Sequence, residues 1–287
     1  MTRLRFLMTA ALVLITIGLA NAQMDVFGNS IPSKKKTVKP IPAHYNQTDG
    51  QGRKQGPWEK RYTDGSPLYK ATFKDNKPVG ELTRYYTGGV ISARIVYDQQ
   101  SLHGKAEFFD AEGNLASKGN YIGTKKDSTW TFYAVKKTIN STEDYVDGLK
   151  NGKTTIFFPG GQISEIIHWK DDQKHGPWLK FNENGTKLLV AQHQHGTLHG
   201  NYHYFYENGQ KEIDATFKTG KEDGDWTFYL PDGKVDYVLK YKMGKLLNPE
   251  VLDAKREAME KEYEKNKDKL KDPEKFINNP DQLLQSR

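Results

Sequence analysis

The chain has 287 residues, of which 36% are hydrophobic, 28% charged and none cysteine, with a formal net charge of +7. Without cysteine there is no disulfide framework, thiolate zinc site, iron–sulfur centre or cysteine nucleophile, and a mean hydropathy of −0.81 argues against a multispan membrane protein. The 34 aromatic residues are too many for a disordered chain, so the sequence calls for a fold built on few aliphatics and many rings.

Residues 1–22 read as a secretory signal peptide. Arg3 and Arg5 supply a positive start, residues 6–19 an uncharged apolar stretch, and Ala20-Asn21-Ala22 a small-x-small cleavage pattern. The apolar stretch is shorter than the roughly 20 residues a spanning helix needs, which disfavours an uncleaved anchor. The expectation is export to a periplasm, with secretion or outer-membrane association as variants. Residues 23–55 carry six basic and two acidic residues, including Lys34-Lys35-Lys36, and contain Pro32, Pro40 and Pro42. They read as an extended basic linker that ends in a partial repeat. Residues 56–247 are nearly neutral, with 26 basic against 24 acidic residues. Nucleic acid is therefore not an expected partner.

Between residues 56 and 247 the chain repeats every 24 residues, eight times, without insertion or deletion. With Gly56 as position one, that column reads Gly56, Gly80, Gly104, Ser128, Gly152, Gly176, Gly200 and Gly224. Position ten reads Gly65, Gly89, Gly113, Lys137, Gly161, Gly185, Gly209 and Gly233. Position six is aromatic from Tyr85 to Tyr229, and position eighteen is aromatic except at His193. Each period reads as one β-hairpin. Aromatic and β-branched stretches flank Asp64-Gly65, Asn184-Gly185, Asn208-Gly209 and Asp232-Gly233, dipeptides suited to two-residue type I′ turns. The glycine at position one is expected in the turn between hairpins. The fold class is thus all-β: an extended single-sheet antiparallel meander of about 16 strands with a helical tail. Columns six and eighteen are expected to stack as ladders in place of a core. In the fourth repeat, Ser128 and Lys137 replace both marker glycines, which predicts a wider turn across residues 134–140.

The pattern Gly56-Pro-Trp58 followed by Tyr62, the Asn/Asp-Gly turn and the His-Gly or Asp-Gly step resembles MORN repeats, in their bacterial variant form often labelled antitoxin-like. The resemblance covers residues 56–247, with a partial repeat near residues 46–53. It implies a non-catalytic module that binds proteins or, in some members, lipid. A cytoplasmic toxin as partner conflicts with the leader at residues 1–22.

The tail begins at Asn248-Pro249-Glu250, a polar residue, a proline for the first turn and an acid. The helix is expected to run to about Lys271, with Leu252, Met259, Tyr263 and Leu270 as one narrow apolar stripe. Such a helix either packs on the last hairpin and covers its edge or docks a partner. Phe276, Leu283 and Leu284 would continue either role.

Four histidines, His193, His195, His199 and His203, fall within eleven residues. On a strand His193 and His195 would share a face and could hold zinc. The repeat accounts for two of them otherwise, since His199 shares the column of His103 and His175, and His193 takes the aromatic slot. No nucleophile elbow, P-loop or HExxH pattern is present. The expectation is no enzyme, no metal and no cofactor. Positions three, five and seven lie opposite position six and carry aromatics with basic interruptions. Trp58, Tyr86, Trp130, Trp178, Tyr204 and Trp226 are the candidate partner-binding residues, since Trp and Tyr are typical interface anchors; alternatively they pack on one another. The function expected is a non-enzymatic, extracytoplasmic protein–protein scaffold in the cell envelope, with a protein partner and peripheral contact with membrane or cell wall. The alternative is an envelope protein that binds glycan, peptidoglycan or lipid headgroups.

Overall fold

The structure is a computed structural model that describes residues 38–134 and 137–267. The leader, residues 23–37 of the linker, and Leu270, Phe276, Leu283 and Leu284 lie outside the described residues. The chain divides into Met1–Ile41 and Pro42–Arg287, and the described strands and helix belong to the second unit.

Nineteen strands, from Gln47–Thr48 to Lys245–Leu246, form one sheet in which sequence neighbours pair antiparallel. Sixteen come from the eight hairpins. The extra three are the two short end strands and the interruption at Asp223, which separates Lys221–Glu222 from Gly224–Tyr229.

Turn chemistry differs from the sequence expectation. At Asp64-Gly65 only the glycine has positive φ (82°). The Gly65 N–H donates to the Tyr62 carbonyl at 3.0 Å and the Tyr62 N–H to the Ser66 carbonyl at 2.9 Å. This is a type I turn closed by a left-handed glycine, the three-residue hairpin connection. The Asp or Asn before the glycine serves through its side chain: Asp64, Asn184, Asn208 and Asp232 each accept the N–H two residues on, at 2.9–3.0 Å. Type I′ turns occur instead between hairpins, where both central residues have positive φ. Asp75-Asn76, Asp147-Gly148, Asp171-Asp172, His195-Gly196, Thr219-Gly220 and Met243-Gly244 are of this kind.

The position-one glycine is not in a turn. Gly80, Gly152, Gly176 and Gly200 sit inside strands with positive φ, and there the ladder to the preceding strand slips by two residues, a bulge. Gly104 is the exception: it lacks positive φ, and its ladder with Ile91–Tyr97 runs without a slip. The connection there is longer, and the Asp98 carboxylate collects the N–H groups of Leu102 and His103 and the His103 ring. In the fourth repeat the ends of the turn are not widened. Ala134 donates to Thr138 at 2.8 Å as its counterparts do, and Lys137 adopts the glycine's positive φ (64°).

The core lies on one face. Position three pairs directly with position sixteen in every repeat, for example Trp58 with Ala71, Trp130 with Glu143, Trp178 with Ala191 and Trp226 with Leu239. All ten buried hydrophobics of the described residues fall at positions three, fourteen, sixteen and eighteen. Rings of columns three and eighteen meet edge-on or tilted, as in Trp226 with Phe217 (5.1 Å) and with Tyr241 (5.3 Å). Alternation along a strand places column six on the opposite face from column eighteen, so of the two expected ladders only column eighteen joins the buried face. A large ring at position three has a small residue on at least one flanking strand, and Gly119, on the strand before Trp130, is the extreme case: a Cβ there would meet the indole at 2.3 Å.

Successive repeats are tied by hydrogen bonds of fixed spacing. The hydroxyls of Tyr62, Tyr86 and Tyr206 donate to the carbonyls of Tyr85, Phe109 and Tyr229, each 23 residues on. On the other side of the sheet's turns, the N–H groups of Asn76, Gly148, Asp172, Gly196, Gly220 and Gly244 reach back 22 residues to carbonyls of the previous repeat.

The helix α1 (Glu250–Asn266) starts at the expected place, with Glu250 and Asp253 in its first turn. None of its residues is buried.

Candidate binding surface

The aromatic face is built as a layered stripe. Above the rings of columns three and eighteen lies a column of lysines that the sequence reading missed, at position 23 of the period. Lys54 Nζ sits 4.7 Å from the ring centres of Trp58 and Phe73. Lys126 sits 4.5 Å from Trp130 and 4.8 Å from Tyr145. Lys150 lies 5.0 Å from Trp169, and Lys174 lies 5.2 Å from Trp178. These are cation–π contacts, and their stems shield the rings from water. Lys126, Lys150 and Lys174 stand on consecutive repeats, about 10 Å or two strand spacings apart along the sheet, while Pro78 and Leu102 interrupt the column between Lys54 and Lys126. The signal for this column was present as lysines recurring at 24-residue steps.

The sequence-derived contact residues fare differently one by one. Trp130 is 1% exposed and is the largest fully buried side chain, so it is a core residue rather than a contact residue; its indole N–H is satisfied by the Asn120 carbonyl at 3.0 Å. Trp58 and Trp178 are half-buried beneath their lysines, and their N–H groups bond the Gln55 carbonyl and the Glu165 carboxylate. Trp226 stacks on Tyr202 and donates to Thr216 O. Tyr86 is exposed, but its hydroxyl is committed to Phe109. Tyr204 is half-buried, directly opposite Leu189 and Ile213 on the flanking strands. The structure therefore brings five of the six onto one packed stripe, position seven supplying Tyr86 as an inter-repeat tie.

Burial shifts the ionisable groups of this stripe in consistent directions. Desolvation pushes the Tyr145 hydroxyl up, and its hydrogen bond to Glu143 adds to the shift. Lys126 is held below the usual lysine value by desolvation, with Glu143 opposing and Lys150 assisting. His193 is pushed down by burial and by Lys174; its Nδ1 is buried without a partner, as are Thr154 Oγ1 and Trp169 Nε1. His195 lies in a type I′ turn against His175, at 5.4 Å between ring centres, while His193 packs on Trp178. The histidine-rich segment is thereby split, and among the described residues no group of three or more metal-ligating side chains could hold an ion.

A second surface is the tail helix. It touches the last hairpin chiefly through Lys255, which bonds both oxygens of Asp236 and sits 5.1 Å from the Tyr237 ring. Met259 is 68% and Tyr263 58% exposed. With Leu252 and Tyr237 they line a groove of about 710 Å³.

The family model for the MORN repeat variant matches four segments, residues 102–122, 150–171, 198–219 and 222–243. No curated protein matches. Among solved structures, S. aureus TarM, bound to fondaparinux, alpha-GlcNAc-glycerol and UDP, is 11% identical over 33% of this chain and 19% of that one, with a TM-score of 0.27. A second TarM structure gives 12% identity over 36% and 20%, with a TM-score of 0.26. The GtfA/B complex bound to UDP and GlcNAc gives 12% identity over 47% and 22%, with a TM-score of 0.15. This chain spans about a fifth of the length of those proteins, and at such scores the likeness carries nothing to its function. MORN repeats are generally protein- or membrane-binding modules. Over those four segments the 24-residue hairpins match the MORN repeat variant, and the remaining hairpins share their period.

Proposed function

We propose that this chain is a non-enzymatic interaction scaffold of the cell envelope, exported by its leader, whose partner is a protein docked on the tail helix. The observation that carries this reading is α1 itself. It projects Leu252, Met259 and Tyr263 beside Tyr237 with none of its own residues buried, and amphipathic helices are a recurrent recognition element. The packed aromatic stripe serves as the rigid support for that helix rather than as the contact itself. The test is affinity capture from envelope extracts with the full chain and with Met259→Glu/Tyr263→Glu, followed by mass spectrometry. A stoichiometric protein held by the full chain and lost from the variant is expected; identical capture by both would remove the helix from the reading.

A second reading follows from the lysine column. Lys126, Lys150 and Lys174 form a row of cations over aromatic rings, which suits an anionic headgroup or polymer better than ring stacking on a neutral sugar. Salt-sensitive binding to vesicles containing anionic lipid, abolished in Lys126→Gln/Lys150→Gln/Lys174→Gln, would favour it.

A further inference from the structure

Both ends of the sheet are closed by an asparagine side chain. At the first full strand, Lys54–Arg61, the side-chain amide of Asn46 accepts the Glu59 N–H at 2.9 Å and donates to the Glu59 carbonyl at 3.0 Å. Its backbone N–H adds a bond to the Pro57 carbonyl. One side chain thus exchanges two hydrogen bonds with a single residue, as a paired strand residue would. At the last full strand, Val235–Lys242, the Asn248 amide accepts the Lys240 N–H at 2.7 Å and donates to the Val238 carbonyl at 3.0 Å. The short strands Gln47–Thr48 and Lys245–Leu246 occupy the adjoining backbone groups. Asn248 falls at position one of what would be a ninth repeat, where the array has glycine, and Pro249 after it has no N–H with which to continue a ladder.

An antiparallel sheet of identical units has an obvious wrong partner. Its last strand can be continued by the first strand of a second copy, since each repeat already pairs with the next in that manner. Such a head-to-tail contact does not close on itself and gives open-ended chains. We propose that Asn46 and Asn248 are edge caps that exclude a second copy of this chain from the two ends of the array and so fix the assembly at one chain's length.

Two measurements test this. In the unaltered protein, hydrogen exchange should show the Glu59 and Lys240 amides protected to within about tenfold of interior ladder amides such as that of Ile167. Exchange at the rate of unprotected chain would overturn the proposal, and this measurement does not depend on any variant folding. In sedimentation velocity, the Asn46→Ala/Asn248→Ala double variant should grow with concentration into species larger than dimers. Each single variant opens only one of the two edges that a head-to-tail contact needs and should stay a monomer, whereas an equimolar mixture of the two should stop at dimers. A double variant with unchanged far-UV circular dichroism and the same mass as the parent at every concentration would also overturn the proposal.

Discussion

The two faces of this one sheet use the same period for different ends. On the face of positions three, fourteen, sixteen and eighteen, large rings alternate with alanine or glycine, and side chains are buried down to Ala191 at 0% exposure. On the other face, the row pairing position four with fifteen is ionic in the early repeats, with Glu59 against Lys70 and Glu107 against Lys118. It is aliphatic in the sixth repeat, with Leu179 against Val190, and polar again in the seventh, with His203 against Asp214. A single layer can therefore hold a core if size alternates across strands on one side, leaving the opposite side free to change its chemistry from repeat to repeat.

The sharpest way to break that contrast is to truncate the equivalent ring on each face. Trp130→Ala should destabilise by about 3–5 kcal/mol in denaturant unfolding, while Phe181→Ala, from half-buried column six, should lose less than half as much. Equal losses would mean that both faces share the core. A narrower probe is Gly119→Ala, which forces a Cβ into the Trp130 ring and should cost about 1–3 kcal/mol. Because the two residues touch, the same change made in a Trp130→Ala background should cost almost nothing.

His193 sharpens the contrast from the other direction. It occupies an aromatic slot with an unpartnered, buried Nδ1, so His193→Phe should stabilise by about 1–2 kcal/mol. The pH dependence follows from its depressed value. Below its ordinary value of 6.5 the unfolded chain takes up a proton that the folded chain resists. Its contribution is thus complete above that pH and is lost as pH falls toward the folded value. Melting temperatures of the parent should drop between about pH 7 and pH 5, and the phenylalanine variant should lack that part of the drop. The smallest effect concerns the ties between repeats. Tyr206→Phe removes one hydroxyl bond to Tyr229 O and should cost about 0.5–1.5 kcal/mol.

The meander was legible in the sequence because glycine and aromatic columns recur at a strict 24-residue step, and helix α1 because Asn248-Pro249-Glu250 is a strong start. Turn types were not. Asp64-Gly65 suits a type I′ turn and a type I turn with a left-handed glycine equally well, and the difference lies in which carbonyl Gly65 faces. The true type I′ sites include Asp171-Asp172 and Met243-Gly244, whose first residues carry little signal. The core column at position sixteen was hidden because Ala71, Ala191 and Ala215 look unremarkable beside tryptophan. Trp130 was misassigned as a contact residue since sequence gives the face on which a ring sits but not what covers it.

The ties that join each residue to one 22 or 23 positions away have a further consequence. They connect only adjacent repeats, and the type I′ turns recur in step with them. Excising residues 176–199 would join His175 to Gly200, recreating a His-Gly step already present in the chain, and would leave each remaining repeat with a neighbour in register. A cut one residue shorter would turn every following side chain to the wrong face. Length in this protein is therefore a quantised variable, open to change in whole hairpins of about 10 Å and closed to anything between.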